Sequence, residues 1–148
     1  MFKHAHAVLA TLFCLAATPA MAAPSAIQFF STGKTPGPFS SAIRIGNMVY
    51  VSGVIGVSPD GTLPSDFTAQ ATNAMQALSG ELKLAGASMN DVFKCNVSLA
   101  DMKDWPAFNE VYVNYFKAGR LPVRMASGAN GLAKGAAVEV ECEAYTAH

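Results

Sequence analysis

The chain has 148 residues, 51% of them hydrophobic and only 14% charged, with ten basic residues balanced by ten acidic ones. That length makes one domain with room for a sizeable core, and the absence of any basic run argues against a dedicated nucleic-acid binder. So little charge points to a compact molecule that buries much of its surface, in an oligomer if the surface allows it.

The first 22 residues read as an export signal. Lys3, with His4 and His6, supplies positive charge, Ala7 to Ala17 is apolar and uncharged, and Ala20-Met21-Ala22 has the small-x-small form of a cleavage site. The apolar run falls short of the ~20 residues a membrane span needs. Cys14 would suit a lipoprotein, but Phe13 before it is too bulky for that processing. Cleavage after Ala22 predicts a single domain over 23–148, periplasmic or secreted, with no membrane attachment once the signal is gone.

Ala23 to Pro38, rich in Pro, Gly, Ser and Thr, predicts an extended lead-in. Ser41 to Ile45 and Met48 to Ser52 flank Gly46-Asn47, a pair suited to a two-residue hairpin turn. Ser58-Pro59-Asp60-Gly61 is a turn, with a short extended piece expected after it up to Leu63. Ser65 or Asp66 then caps a helix to about Ala85. Its apolar face is Phe67, Ala71, Ala74, Met75, Leu78 and Leu82, and Gly86 stops it.

Asn90 and Asp91 open a strand over Val92 to Leu99. Phe93, Cys95, Val97 and Leu99 are expected on one face, and Lys94, Asn96 and Ser98 on the other. Asp104-Trp105-Pro106 predicts a second helix with Asp104 as cap and proline in its first turn. Phe108, Val111, Tyr112, Tyr115 and Phe116 form its apolar side, and Gly119 ends it. Leu121-Pro122-Val123-Arg124 is a short apolar strand closed by an arginine. A Gly/Ala-rich connection, Ser127 to Ala137, leads to Val138-Glu139-Val140-Glu141-Cys142-Glu143. That run alternates strictly, as a half-buried strand does.

Neither Cys95 nor Cys142 has metal-ligand spacing, and the three histidines, His4, His6 and His148, fall in the leader or at the terminus. No metal site and no imidazole base are therefore expected. Export permits a Cys95–Cys142 disulfide. Both positions also look like core faces, where free cysteine packs as a small hydrophobe, and that second reading is the favoured one.

The order of hairpin, short strand, helix, strand, helix, strand, strand predicts an α+β fold, a two-layer sandwich in which two helices cover one face of a mixed sheet. The other face would carry Lys94, Asn96, Ser98, Glu139, Glu141 and Glu143. An arginine on one strand and a glutamate on another could converge on a small polar ligand.

Pro36-Gly37-Pro38-Phe39-Ser40, Gly46-Asn47-Met48-Val49-Tyr50-Val51-Ser52-Gly53, Asp101-Met102, Phe108-Asn109-Glu110-Val111-Tyr112, Pro122-Val123-Arg124 and Val138-Glu139-Val140-Glu141 occur in one order and spacing. Through them the chain resembles the RidA/YjgF family of reactive intermediate deaminases over nearly all of its mature region. The resemblance implies a chorismate-mutase-like homotrimer with clefts between neighbouring subunits. Hydrolysis there of 2-imino acids, or of the enamines that tautomerise to them, would give 2-keto acids and ammonia without metal or cofactor.

In that comparison Arg124 binds the substrate carboxylate, through the two parallel hydrogen bonds a guanidinium can make. Glu139, fifteen residues on as in the family, orients the attacking water. Ser52 and Asn109 are substrate contacts, and the backbone around Ala126 completes the pocket. Without the resemblance, Glu139 would read as a solvent-facing strand glutamate, and Asn109 as a helix-surface amide.

Two departures matter most. Phe39 stands where the enzymes usually carry tyrosine, and Met125-Ala126 replace a small polar residue and a cysteine or threonine. Val54, too, replaces a frequent glutamine. These changes make the pocket drier. They suit a bulkier imino acid, slower turnover, or the alternative of a non-catalytic small-carboxylate-binding or chaperone-like paralogue.

Overall fold

Alternation of buried and open side chains builds the sheet, and the helices supply the cover for its buried side. The computed structural model describes residues 26–33 and 37–147. The predicted export signal with Cys14, all three histidines, and Pro36 lie outside the described residues. The order is β1 (Ile27–Phe30), β2 (Ala42–Ile45), β3 (Met48–Val51), β4 (Val54–Ile55), α1 (Phe67–Leu84), β5 (Val92–Leu99), α2 (Trp105–Tyr112), β6 (Val123–Gly128) and β7 (Val138–Tyr145). The strands lie in the order β1-β2-β3-β7-β5-β6, with β4 also paired to β7. All pairs are antiparallel except β5 with β6. This is the expected mixed sheet with two helices on one face.

The β2–β3 hairpin turns at Gly46-Asn47 as read from the sequence. Gly46 alone has the left-handed φ (56°), as glycine in first place of a two-residue turn provides. Arg44 locks this corner. It donates to Gly46 O, to Ala85 O and Gly86 O at the end of α1, and to Thr146 Oγ1 beyond β7.

Asp66 caps α1 by accepting from Ala69 N at 2.7 Å, and Gly86, with φ 75°, closes it. Met75, Leu78 and Leu82 are fully buried against Val49, Val97, Leu99, Val138 and Val140. Phe108, Val111 and Tyr112 add the buried side of α2.

Several expectations need correction. The lead-in, expected only to be extended, contains a paired strand, β1, built on Ile27, Phe29 and Phe30 beside β2. No strand follows the turn at residues 58–61. The short strand there is β4, before the turn, and Thr62 instead donates to Asp60 in a local loop. Phe93 is exposed, because the register with β7 slips between Val92 and Lys94. A bulge leaves one residue unpaired and turned outward.

The second helix is also shorter than predicted. A 3-10 turn, capped by the Asp101 side chain, precedes it, and another over Val113–Tyr115 follows. Asp104 makes no side-chain cap bond. Leu121 and Pro122 lie outside β6. Finally, Cys95 and Cys142 face each other across β5 and β7 with Cα atoms 4.1 Å apart and are disulfide-bonded, not free. Both do point into the core, so the face assignment stands.

Candidate functional site

Arg124 is the second residue of β6, an edge strand whose only sheet neighbour among the described residues is β5. Its register partner is Cys95, so its side chain leaves the sheet on the helix-covered side. There the guanidinium lies over the Tyr112 ring, 4.5 Å from its centroid, and 5.7 Å from that of Phe108. Its Nη2 donates to Asn109 Oδ1 at 2.5 Å. Asn109 sits on α2 one residue after Phe108, so the turn that buries Phe108 also delivers the amide.

Among the described residues the ion pairs are Lys94–Glu143 and Lys103–Asp101, and neither involves Arg124. The cation is therefore oriented by a neutral amide and aromatic faces, and its charge is not cancelled. Cation–π contacts of this kind contribute ~0.5–2 kcal/mol. Around it lies an open cleft of about 300 Å³ lined by Trp105, Asn109, Tyr112, Leu121, Pro122 and Ala126 among others. One cation and one amide within apolar walls suit a small carboxylate with an apolar remainder.

Glu139 lies elsewhere. It is opposite Ser98 in the β5–β7 ladder, three residues along β5 from Cys95, and odd spacing puts the two on opposite faces. Glu139 shares a depression on the uncovered sheet face with Gly53, Asn96, Ser98 and Glu141. Gly53 lies directly against it, and a Cβ there would overlap Glu139 Oε1. The main chain before β7 is held by buried Gln70, whose Oε1 accepts from Ala137 N at 2.8 Å while its Nε2 donates to Pro64 O at 2.7 Å.

Ser52 and Phe39 belong to this second side. Ser52 Oγ donates to Ser40 O at 2.7 Å, so the hydroxyl proton is committed to the main chain and the oxygen is left as an acceptor. Phe39, 69% exposed, lines a shallow depression with Phe29, Tyr50, Ser52 and Glu141.

The sequence-predicted residues thus form two groups within one chain. Arg124, Asn109 and Ala126 make one, and Glu139, Ser52 and Phe39 make the other, with the thickness of the sheet between them. The convergence anticipated from the sequence does not occur inside a protomer. Tyr112, Trp105, Gly53 and Gln70 were missed as site residues. Of these, Trp105 carried a legible signal, being one helical turn before Asn109. Among the described residues no cluster of His, Cys, Asp and Glu could hold a metal ion, and no helix is long and apolar enough to cross a membrane.

Residues 32–146 match the model of the family described as Endoribonuclease L-PSP. A mouse protein named 2-iminobutanoate/2-iminopropanoate deaminase is 39% identical over 119 residues, covering 77% of this chain and 87% of that protein. The crystal structure of RidA from the Antarctic bacterium Psychrobacter sp. PAMC 21119 superposes with a TM-score of 0.74 at 38% identity, over 80% of this chain and 99% of that one. That of E. coli TdcF with bound serine gives 0.71 at 28% identity, over 76% and 91%.

Proposed function

The chain belongs to the endoribonuclease L-PSP family, the RidA/YjgF proteins, and on that footing we propose that it hydrolyses 2-imino acids, or their enamine tautomers, to 2-keto acids and ammonia. The observation that carries this reading is Arg124, a guanidinium oriented in an open cleft with no carboxylate among the described residues to neutralise it. A relative named for 2-iminobutanoate and 2-iminopropanoate, and a structural neighbour holding serine, both point to small amino-acid-like carboxylates.

Because Arg124 and Glu139 leave opposite faces of one sheet, the working site joins the Arg124 side of one protomer to the Glu139 side of another. Such a heterologous contact makes a finite assembly only when its rotation closes into a ring, and a homotrimer is the ring we propose. Phe29, Phe39 and Tyr145 are exposed and give the neighbour an apolar surface to cover.

In that cleft the guanidinium grips the substrate carboxylate and fixes the C=N carbon beside a water held by Glu139. The carbon is already electrophilic, so positioning and proton movement supply most of the catalysis. Water oxygen adds to the carbon, and the proton it loses passes through the carboxylate to nitrogen. In the tetrahedral adduct the carboxylate then takes the hydroxyl proton and passes it to the amine, the C–N bond breaks as the C=O bond forms, and ammonia leaves the 2-keto acid. We place this activity outside the cytoplasm, on the strength of the leader read at residues 1–22 and of a Cys95–Cys142 bond suited to an oxidising compartment.

Phe39 and Ala126 bring neither hydroxyl nor thiol to the cleft, which favours carboxylate capture without turnover as a second reading. Ribonuclease chemistry draws no support from a balanced charge of ten against ten.

The test is ammonia release from freshly generated 2-iminobutanoate. Wild-type protein accelerates it, and Arg124→Ala and Glu139→Ala each abolish the acceleration. Dissociated and reassembled in equal amounts, the two inactive variants regain about a quarter of wild-type activity, because half the arginines and half the glutamates are intact and pair at random. Equal rates with and without wild-type protein would remove the enzyme reading, and calorimetric binding of 2-oxobutanoate would then support capture. Inactive single variants with no recovery in the mixture would remove the shared cleft, and active single variants would remove the roles of Arg124 and Glu139.

A further inference from the structure

Asn109 Oδ1 receives two donors. Arg124 Nη2 is one, and the other is the indole Nε1 of Trp105 at 3.2 Å, one helical turn earlier on α2. Neither an indole N–H nor a guanidinium can accept a hydrogen bond. The atom between them must therefore be the amide oxygen, and the orientation of Asn109 is decided by chemistry. Its two Nδ2 protons then have no partner among the described residues, and Asn109 borders the Arg124 cleft. Trp105, 38% exposed, forms part of the wall of that cleft.

We propose that Trp105 is a positioning residue: its indole N–H, sharing Asn109 Oδ1 with the Arg124 guanidinium, holds the Asn109 amide group as a fixed donor to the carboxylate that Arg124 binds. The inference deepens the deaminase reading by assigning three donors to one ligand group, two from the guanidinium and one from the amide. Arg124 alone cannot hold the amide through the reaction cycle. A carboxylate entering the cleft competes for the same guanidinium protons, and without the indole bond the amide turns as the guanidinium shifts. A phenylalanine would keep the wall and lose the lock.

Trp105 is the only tryptophan of the chain, so its emission reports the cleft directly. Titration of the full-length protein with 2-oxobutanoate changes that emission saturably, and Arg124→Ala removes the change. Calorimetry with the same probe gives about fivefold weaker binding for Trp105→Phe, the size of one lost neutral hydrogen bond. In an Asn109→Ala background the same substitution changes binding less than about twofold, since its effect passes through the amide. With 2-iminobutanoate, Trp105→Phe raises KM about fivefold and leaves kcat within about twofold, the mark of a contact made equally in ground and transition states.

No saturable emission change, unaltered binding in Trp105→Phe, or a fivefold loss that persists without Asn109 would each overturn the proposal. These outcomes are separate from those of the deaminase reading. A chain that binds 2-oxobutanoate with the predicted Trp105–Asn109 coupling but releases no ammonia keeps the positioning role and loses the catalysis.

Discussion

Gly53 offers a way to move Glu139 without touching it. The residue sits in the break between β3 and β4, where its φ is outside the left-handed region, so alanine is conformationally admissible. The obstacle is steric. A Cβ at Gly53 would overlap Glu139 Oε1 and stand 3.1 Å from Cδ and 3.3 Å from Cγ. The backbone is not what blocks it, so the glutamate side chain yields. To regain an ordinary contact the carboxylate must shift by about 1 Å, a misplacement on the scale that costs about 100-fold in rate.

Folding should hardly notice. Replacing glycine by alanine removes ~0.4–1 kcal/mol of unfolded-state entropy, and that gain is spent on the displaced side chain. Gly53→Ala is therefore expected to keep the wild-type melting temperature within about 5 °C and its affinity for 2-oxobutanoate, while kcat for 2-iminobutanoate falls about 100-fold. Ammonia-release kinetics beside thermal melts decide it. A variant that turns over within about threefold of wild type would show that the Glu139 carboxylate need not stand where it does, and the water-orienting role would fall.

Two further predictions concern buried groups that take no part in the proposed chemistry. Glu81, half-buried on α1, has an Oε2 with no partner among the described residues, and burial pushes its carboxyl up from 4.5 to about 7, the Ser41 hydroxyl opposing. The folded value exceeds the unfolded one, so the folded state holds the extra proton between the two, and stability falls as pH rises through about 7. With allowance for the exposed side of the group, the loss is about 1–2 kcal/mol. Glu81→Gln should recover it in urea melts at pH 8 and change little at pH 4, below the unfolded value, whereas an unchanged pH profile would remove Glu81 as its source. Tyr112, whose ring lies beneath Arg124, buries its hydroxyl without a partner among the described residues. Tyr112→Phe keeps the ring under the cation and should stabilise the fold by ~1 kcal/mol with hydrolysis unaltered. A loss of that size would reveal an acceptor for the hydroxyl.

What the sequence made legible were the features carried by local periodicity. The apolar stripe of α1 with its cap at Asp66, the glycine turn at Gly46, and the alternation of β7 all follow from spacing alone. Features set by a neighbour were not legible. The bulge that turns Phe93 outward exists only in the register with β7, and the paired state of β1 depends on β2 lying beside it. The cysteine pair shows the same division. Each cysteine's face could be read from alternation, but their direct opposition across β5 and β7 is a fact of register. The candidate site divides likewise: Arg124, Asn109 and Glu139 are singled out by the family resemblance, since alternation alone leaves Glu139 no different from Glu141 and Glu143, whereas the Trp105 bond and the Gly53 contact need coordinates.

Fifteen residues separate Arg124 from Glu139, and nothing in that number says whether they meet. The register does. Arg124 shares its row with Cys95 and Cys142, while Glu139 shares one with Ser98, and a row three residues further along β5 emerges on the other side. A one-residue slip in β7 would bring the glutamate round, but it would also turn Val138, Val140 and Cys142 out of the core, and burying such side chains is worth about 1.5–3 kcal/mol each. The packing that makes the fold stable therefore keeps the two groups apart in every protomer. If both serve one reaction, assembly is a condition of catalysis, and activity must vanish on dilution below the dissociation constant of the ring even while each chain stays folded.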